Sequence, residues 1–228
     1  MIASGEGPIA GISALPDLTA DRAHALALTH VSRETLVRLD RFVTLLLATQ
    51  SHTNLIGPRS VAEVWTRHIA DSLQLLGLAP QARVWLDLGS GGGFPGVPIA
   101  CALADRPGSA VHLVESTGKK AAFLREVCAE LALPATVHHA RIEALSLDAQ
   151  PDVITARALA PLPALLDYVA PFLKTGAQAL LLKGQDVEAE LTEAAKYWNI
   201  QAELAPSRTN PASRIVIVRG LQRRSVRS

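Results

Sequence analysis

Residues 86–96 read LDLGSGGGFPG, a glycine-rich segment from which the fold of this chain can be predicted. It begins inside the apolar run Val84–Leu88 and leads into a segment of helical character at about residues 96–104. Glycines permit positive φ and let a ligand approach the backbone closely, and ligands of open α/β sheets bind where strands end in such turns. The stretch therefore predicts a ligand-binding turn between the first strand and the first helix of an α/β domain.

Short apolar runs alternate with helical segments from residue 83 onward. The later strand candidates are Ala110–Val114, Ala135–His138, Val153–Ala156 and Ala179–Leu182, and the helical segments lie at about 96–104, 118–132, 160–173 and 186–198. This alternation is typical of a parallel sheet covered by helices on both faces. The β-branched run Arg214–Arg219 predicts a closing edge strand.

The chain before residue 80 has a different pattern. Apolar residues recur there at three- and four-residue steps between residues 17 and 78, which favours helices. We therefore expect a flexible lead-in at 1–17, a helical N-terminal extension at 18–80, an α/β domain at 81–220 and a basic tail at 221–228.

Composition excludes several classes of protein. The 228 residues are 49% hydrophobic and 19% charged with a net charge of +1, which predicts a folded domain and argues against a polybasic nucleic-acid binder. Two cysteines without a CxxC motif predict neither a disulfide framework nor a metal site. No basic segment followed by an apolar core begins the chain, and the longest uncharged stretch is rich in glycine and proline, so we expect a cytoplasmic protein without a membrane span.

Two nucleotide ligands compete for the glycine turn. Residues 91–96 satisfy the GxGxxG spacing of dinucleotide-binding proteins, but Pro95 then removes a backbone N–H from the phosphate-binding turn. Residues 87–93 satisfy DxGxGxG, a pattern associated with S-adenosylmethionine-dependent methyltransferases, in which the carboxylate of Asp87 would lie near the amino-acid part of the cofactor. We favour the methyl donor.

Two acidic residues at later strand ends agree with a nucleoside ligand. Glu115 ends the second strand candidate, at the distance expected for an acid that binds both ribose hydroxyls. After the third candidate, the segment Arg141–Glu143 offers a backbone N–H and a carboxylate, which together can bind an adenine ring.

Several motifs, taken in order, resemble those of the bacterial small-subunit rRNA guanine-N7 methyltransferases, the glucose-inhibited division protein B family. They are Asn54-Leu55, the run Arg67–Ser72, LDLGSGGGFPGVPIA from residue 86, VESTGKKAAFLREV from 114, ARIEAL from 140, ITARALAPL from 154 and LLLKGQ from 180. The resemblance implies a class I S-adenosylmethionine-dependent methyltransferase with a Rossmann-like, mostly parallel seven-stranded sheet at 81–220. It also implies a monomer that methylates N7 of one guanine in 16S rRNA, in the RNA or in the small ribosomal subunit.

The resemblance also assigns site residues. The expected cofactor-binding residues, with those from the spacing arguments included, are Gly89, Gly91, Phe94, Glu115, Ile142, Glu143 and Arg157. Arg157 is also the expected catalytic residue, because a guanidinium at that strand end can donate to guanine O6 or pair with a phosphate.

The expected reaction needs little acid–base chemistry. Guanine N7 attacks through a lone pair and loses no proton, so alignment of the two reactants is the main requirement. A cytosine-C5 reaction needs a thiolate, whereas Cys101 and Cys128 are interpreted as buried apolar residues on helices. His68, on an apolar helical stripe, is interpreted as a packed, hydrogen-bonded histidine.

The residues that contact RNA stay open at this point. Lys183 and Arg214 can bind phosphate or face solvent, Arg59 and Arg67 can extend an RNA track, and four arginines between 219 and 227 can add salt-dependent contacts. Three alternatives remain: a methyltransferase of the same fold with another acceptor, a non-catalytic RNA-binding or assembly factor, and a dinucleotide-dependent oxidoreductase.

Overall fold

A computed structural model describes residues 16–224 of the chain. Most of the predicted lead-in and the end of the predicted basic tail, Arg227 included, lie outside the described residues. Within them the structure is an α/β fold around one sheet of seven strands. The strands are β1 (Val84–Leu88), β2 (Ala110–Glu115), β3 (Ala135–His139), β4 (Val153–Arg157), β5 (Gln178–Lys183), β6 (Trp198–Pro206) and β7 (Arg214–Arg223).

The strand order is β3-β2-β1-β4-β5-β7-β6. The first five strands pair in parallel, and β7 is antiparallel to both of its neighbours, β5 and β6. The order reverses between β1 and β4, so a crevice opens at the carboxyl ends of these two strands. The prediction of a mostly parallel seven-stranded α/β sheet is confirmed.

Helices cover both faces of the sheet. They are α1 (Thr19–Leu28), α2 (Arg33–Gln50), α3 (Asp71–Leu73), α4 (Gly96–Leu103), α5 (Gly118–Glu130), α6 (Leu162–Leu173) and α7 (Val187–Ala194). Alternate residues of each strand point to opposite faces and so supply two cores. In β1, Trp85 joins the core beneath α2, α4 and α5, whereas Leu86 and Leu88 join the core beneath α6 and α7.

The segment before residue 80 is helical, as its periodicity predicts. Between α2 and β1 it forms the 3-10 helix Pro58–Glu63, the π-helical turn Trp65–Ala70, α3 and a second 3-10 helix, Gln74–Leu78. Leu39, Phe42 and Leu46 of α2 are fully buried in the same core as α4 and α5. The extension therefore shares one core with the sheet, and its burial stabilises both parts together.

The end of the sheet differs from the prediction. The run from Arg214 is a strand, but the expected edge position is wrong, because β7 lies between β5 and β6. The edge strand is β6, in a segment for which no strand was predicted and whose first residue ends the predicted helical segment at about 186–198. Most of its side chains are exposed, so it lacks the apolar run by which the other strands were found.

The described helices include none that is both long and apolar enough to cross a bilayer.

Candidate functional site

The glycine turn after β1 folds tightly over the start of α4. Gly89 has φ +69°, and a Cβ there would lie 2.6 Å from Leu159 Cδ1. Gly91 has φ +56°, and the nearest atom to a Cβ there would be the Gly89 carbonyl oxygen at 3.7 Å. Both positions need the left-handed conformation that glycine adopts without strain. Gly89 therefore permits close packing, whereas Gly91 keeps its outer side open.

Asp87 supports this turn from beneath. Its side chain is buried, with Oδ1 accepting from Thr155 Oγ1 at 2.9 Å and Oδ2 accepting from the Gly96 backbone N–H at 3.2 Å. Burial raises the pKa of this carboxyl to about 6. Asp87 does not line the cavity described below, so its expected place beside the amino-acid part of a cofactor stays a prediction. Asp87 ties β1 to β4 and to the start of α4.

Glu115 closes the turn from the side of β2. Its Oε2 accepts from the Gly91 N–H at 2.9 Å, and its Oε1 accepts from the Thr117 N–H at 2.6 Å. A carboxylate offers about four acceptor sites, so each oxygen keeps one for a ligand hydroxyl. Two backbone groups thus fix the carboxylate while it stays able to bind a diol.

A cavity of about 430 Å³ opens at the carboxyl ends of β1, β2, β3 and β4. All seven residues predicted to bind cofactor line it: Gly89, Gly91, Phe94, Glu115, Ile142, Glu143 and Arg157. Ile142 and Glu143 lie in the 3-10 helix Ile142–Ala144, where Glu143 Oε1 accepts from Tyr168 Oη at 3.2 Å. The structure therefore brings together groups from four different segments of the chain.

Arg157, at the end of β4, is held by the N-terminal extension. Its guanidinium donates to the Arg67 carbonyl oxygen at 3.0 Å and to His68 Nδ1, and it lies over the Phe94 ring at 5.2 Å from the centroid. Its side chain is 18% exposed and faces Asp71 Oδ2 at 3.8 Å. Arg157 is therefore fixed in the cavity wall rather than free at the surface.

His68 links this arginine to the extension. Because a guanidinium only donates, Nδ1 of His68 is the acceptor, and Nε2–H donates to Ser60 Oγ at 2.8 Å. The Ser60 hydroxyl in turn donates to the Gly57 carbonyl oxygen. Burial, together with the charges of Arg157 and Arg67, lowers the pKa of His68 to about 3. The interpretation of His68 as a packed, hydrogen-bonded histidine is confirmed.

Sequence reasoning missed a part of the cavity wall. Leu55, Ile56 and Gly57 of the extension line the cavity, since Gln50 Oε1 accepts from the N–H groups of Leu55 and Ile56 and so holds this turn in place. A Cβ on Gly92 would lie 2.7 Å from the Leu55 carbonyl oxygen. The only signal for this contact was the Asn54-Leu55 pair, which has no chemistry of its own.

The structure gives little support for thiolate or metal chemistry in the described residues. Burial raises the pKa of the Cys101 thiol to about 12 and that of Cys128 to about 11, so neither is a nucleophile at neutral pH. Within residues 16–224, no group of three or more histidine, cysteine or acidic side chains is placed to hold a metal ion.

Comparisons of the whole sequence identify its relatives. The family model described as rRNA small subunit methyltransferase G (GidB) matches residues 35–213. "Ribosomal RNA small subunit methyltransferase G" of Bradyrhizobium sp. strain ORS 278 is 54% identical over 96% of this chain and 99% of its own length. The protein of that name from Rhodopseudomonas palustris strain BisA53 is 56% identical over 92% of this chain and 91% of its own.

Solved structures share the fold at low sequence identity. The O-methyltransferase from Bacillus cereus in complex with SAH aligns with a TM-score of 0.56 at 17% identity, over 88% of this chain and 97% of its own. The O-methyltransferase TomG from Streptomyces achromogenes in complex with SAM aligns with a TM-score of 0.55 at 15% identity, over 88% and 96% of the two chains. These likenesses establish the fold alone.

Proposed function

The chain belongs to the rRNA small subunit methyltransferase G family, and we propose that it transfers a methyl group from S-adenosylmethionine to N7 of one guanine in 16S rRNA. The observation that carries this proposal is the 430 Å³ cavity, in which the glycine turn, Glu115 and the Ile142–Glu143 pair converge at the strand ends. The substrate is the RNA or the assembled small subunit.

The residues present suit the donor. The open side of Gly91 allows a ligand against the backbone, and the remaining acceptor sites of Glu115 suit the two ribose hydroxyls. Glu143 and a backbone N–H of the same 3-10 helix suit the adenine ring, and Gly89 and Phe94 line the same cavity. S-adenosylmethionine, when bound, supplies an electrophilic methyl group on a sulfonium.

The protein's own contribution is alignment and charge. N7 carries a lone pair and no proton, so no general base is required, which agrees with a buried neutral His68. Arg157 is the residue we assign to the target base, where its guanidinium donates to O6 beside N7. Its contacts with Phe94, Arg67 and His68 hold it before the base arrives, so little reorganisation is left for the reaction.

We further infer a monomer, which the family resemblance implies, and a cytoplasmic location, since the proposed substrate is ribosomal RNA. We also keep the division into an extension at 18–80 and a methyltransferase domain at 81–220 as a proposal. In this division the extension supports the part of the site where the acceptor base would bind, because Arg67 and His68 of the extension contact Arg157. Light scattering on a size-exclusion column tests the monomer.

Methyl transfer tests the proposed function. Small subunits lacking the modification, and naked 16S rRNA in parallel, are incubated with the protein and methyl-labelled S-adenosylmethionine, and digested products are analysed for 7-methylguanosine. Label in that nucleoside supports the proposal, and the comparison of the two substrates identifies the one that the protein binds. Donor binding without label points to another acceptor, and absence of donor binding contradicts the methyltransferase assignment.

A further inference from the structure

A second cavity, of about 760 Å³, lies beside the cofactor cavity. The two share His68, Arg157 and Ala158 as a common wall. The second cavity is otherwise lined by the helical turns 60–71, by the end of β5, and by the loop between β6 and β7. Its position places an occupant next to the methyl-donor site, across Arg157.

Asp71 offers an acceptor in this second cavity. Its Oδ1 accepts from Gln74 Nε2 and from Thr209 Oγ1, both at 2.7 Å, which fixes the carboxylate. Its Oδ2 lies 3.8 Å from Arg157 Nη1, and within residues 16–224 it accepts no hydrogen bond. The side chain is 15% exposed. A largely buried carboxylate thus keeps one oxygen available, directly beside a guanidinium.

Most other charged groups that line the second cavity are already engaged. Arg214 donates to the carbonyl oxygens of Pro211 and Ser213, and among these groups, within residues 16–224, only the Asp186 side chain has no hydrogen bond or ion pair. Lys183 forms an ion pair with Glu190 at 2.7 Å, and Arg67 forms one with Glu63 at 3.3 Å. The Arg157 guanidinium and the Asp71 carboxylate are therefore the donor and the acceptor that can bind a ligand beside the wall shared by the two cavities.

This arrangement matches one edge of guanine. O6 accepts, the adjacent N1–H and the 2-amino group donate, and N7 lies on the other side of O6. A base whose O6 accepts from Arg157 and whose N1–H faces Asp71 has its N7 turned away from Asp71, toward the cofactor cavity. Adenine has a donor in place of O6 and an acceptor at N1, so both contacts would become repulsive.

We infer that Asp71 selects guanine: its Oδ2 accepts from N1–H and the 2-amino group of a base extruded into the second cavity, while Arg157 donates to O6. This inference rests on the proposed function. It adds a residue that determines specificity, and it explains why the carboxylate is fixed through Oδ1 alone. Enzymes that modify a base commonly take it out of its stack into such a pocket.

Inosine tests the inference, because it keeps O6, N1–H and N7 but lacks the 2-amino group. Small subunits are reconstituted with 16S rRNA that carries guanine or inosine at the position methylated in the experiment above. Single-turnover rates are measured at saturating S-adenosylmethionine. We expect the wild-type protein to methylate inosine about tenfold more slowly than guanine, the effect of one lost hydrogen bond to a charged group.

The variant Asp71→Asn presents an amide in place of the free carboxylate oxygen. We expect it to methylate guanine about 10- to 100-fold more slowly than wild type, and guanine and inosine at rates within about twofold of each other. Its dissociation constant for S-adenosylmethionine should equal that of wild type, since Asp71 does not line the cofactor cavity. Asp105→Asn, which changes an exposed Arg–Asp pair with Arg38, is the matched control.

Several outcomes overturn the inference. These are a wild-type rate for Asp71→Asn on guanine, a slow Asp71→Asn that keeps the tenfold preference, equal wild-type rates on both bases, or lost donor binding in the variant. If Asp71→Asn is too slow to assay, Thr209→Val removes one donor to Oδ1 and is expected to lower the preference to about threefold, and an unchanged preference again overturns it. Absence of 7-methylguanosine with the wild-type protein on guanine overturns the proposed function as well.

Discussion

Acid should destabilise this protein through one histidine, His68. His68 is 7% exposed, and the centroid of its ring lies 4.8 Å from that of Phe94. Nδ1 accepts from Arg157 and Nε2–H donates to Ser60, so an added proton would have to enter between Nδ1 and a guanidinium. Burial and the neighbouring Arg157 and Arg67 charges therefore lower the pKa of His68 from 6.5 to about 3.

Because the pKa of His68 is lowered in the folded protein, the direction in which pH changes the stability is fixed. Below pH 6.5 the unfolded chain takes up a proton at this histidine that the folded protein does not bind, so stability falls as the pH falls toward 3. At about 1.4 kcal/mol per pH unit, the loss between pH 7.5 and pH 5 is about 2 kcal/mol.

Urea unfolding of wild type and His68→Asn isolates this contribution. The asparagine keeps an acceptor for Arg157 but does not titrate, so the stability difference between the two proteins should decrease by about 2 kcal/mol from pH 7.5 to pH 5. His24→Asn, at an exposed histidine of α1, is the control for replacing a histidine. A difference between wild type and His68→Asn that stays constant over this pH range would refute the reasoning.

Three further variants test the site. Gly91→Val should weaken S-adenosylmethionine binding at least about 100-fold by calorimetry, since a β-branched residue disfavours φ +56° and fills the open side of the turn; unchanged affinity would contradict it. Arg157→Ala should lower methyl transfer about 100-fold and the melting temperature by only a few degrees, and full activity would remove it from the site. Asp87→Asn should remove a stability loss of about 2 kcal/mol that wild type suffers as the pH rises from 4 to 6.5, because burial raises the pKa of this carboxyl to about 6; parallel pH profiles in denaturant would contradict it.

The parts of the fold that the sequence predicts are those with a burial signal. The strands β1, β2, β4 and β5 are buried on both faces, and their apolar runs reveal them. Strand β6 carries no such run, because it pairs through its backbone with β7 while most of its side chains face solvent. Its partner β7 follows directly along the chain, but β6 shows no strand pattern of its own, so the edge of the sheet could not be placed from the sequence.

The candidate site likewise has one part that the sequence predicts and another part that it does not. Gly89, Gly91 and Glu115 follow strand ends at a fixed spacing, so their convergence is a consequence of the parallel sheet. The direction in which a side chain points is not encoded in that spacing. Asp87 accordingly satisfies the DxGxGxG pattern but faces inward to Thr155, and the contribution of Leu55 depends on how the extension packs on the sheet.

The two cavities are formed by different elements of the structure. This difference is relevant to how one fold can be used with different methyl acceptors. The cofactor cavity is formed mainly by strand ends of the sheet, the part of the architecture that the solved O-methyltransferases share. The second cavity takes its walls from the helical turns 60–71 and from the loop between β6 and β7, which meet where Gln74 and Thr209 bind Asp71. On the proposed function, we expect substitutions in the walls of the second cavity to change the acceptor without disturbing donor binding, provided that Arg157 keeps its contacts with both cavities. Arg157 is the exception to this division, since it ends a strand of the sheet and is positioned by the extension. A substitution in the extension that moves His68 should thus alter methyl transfer more than donor binding.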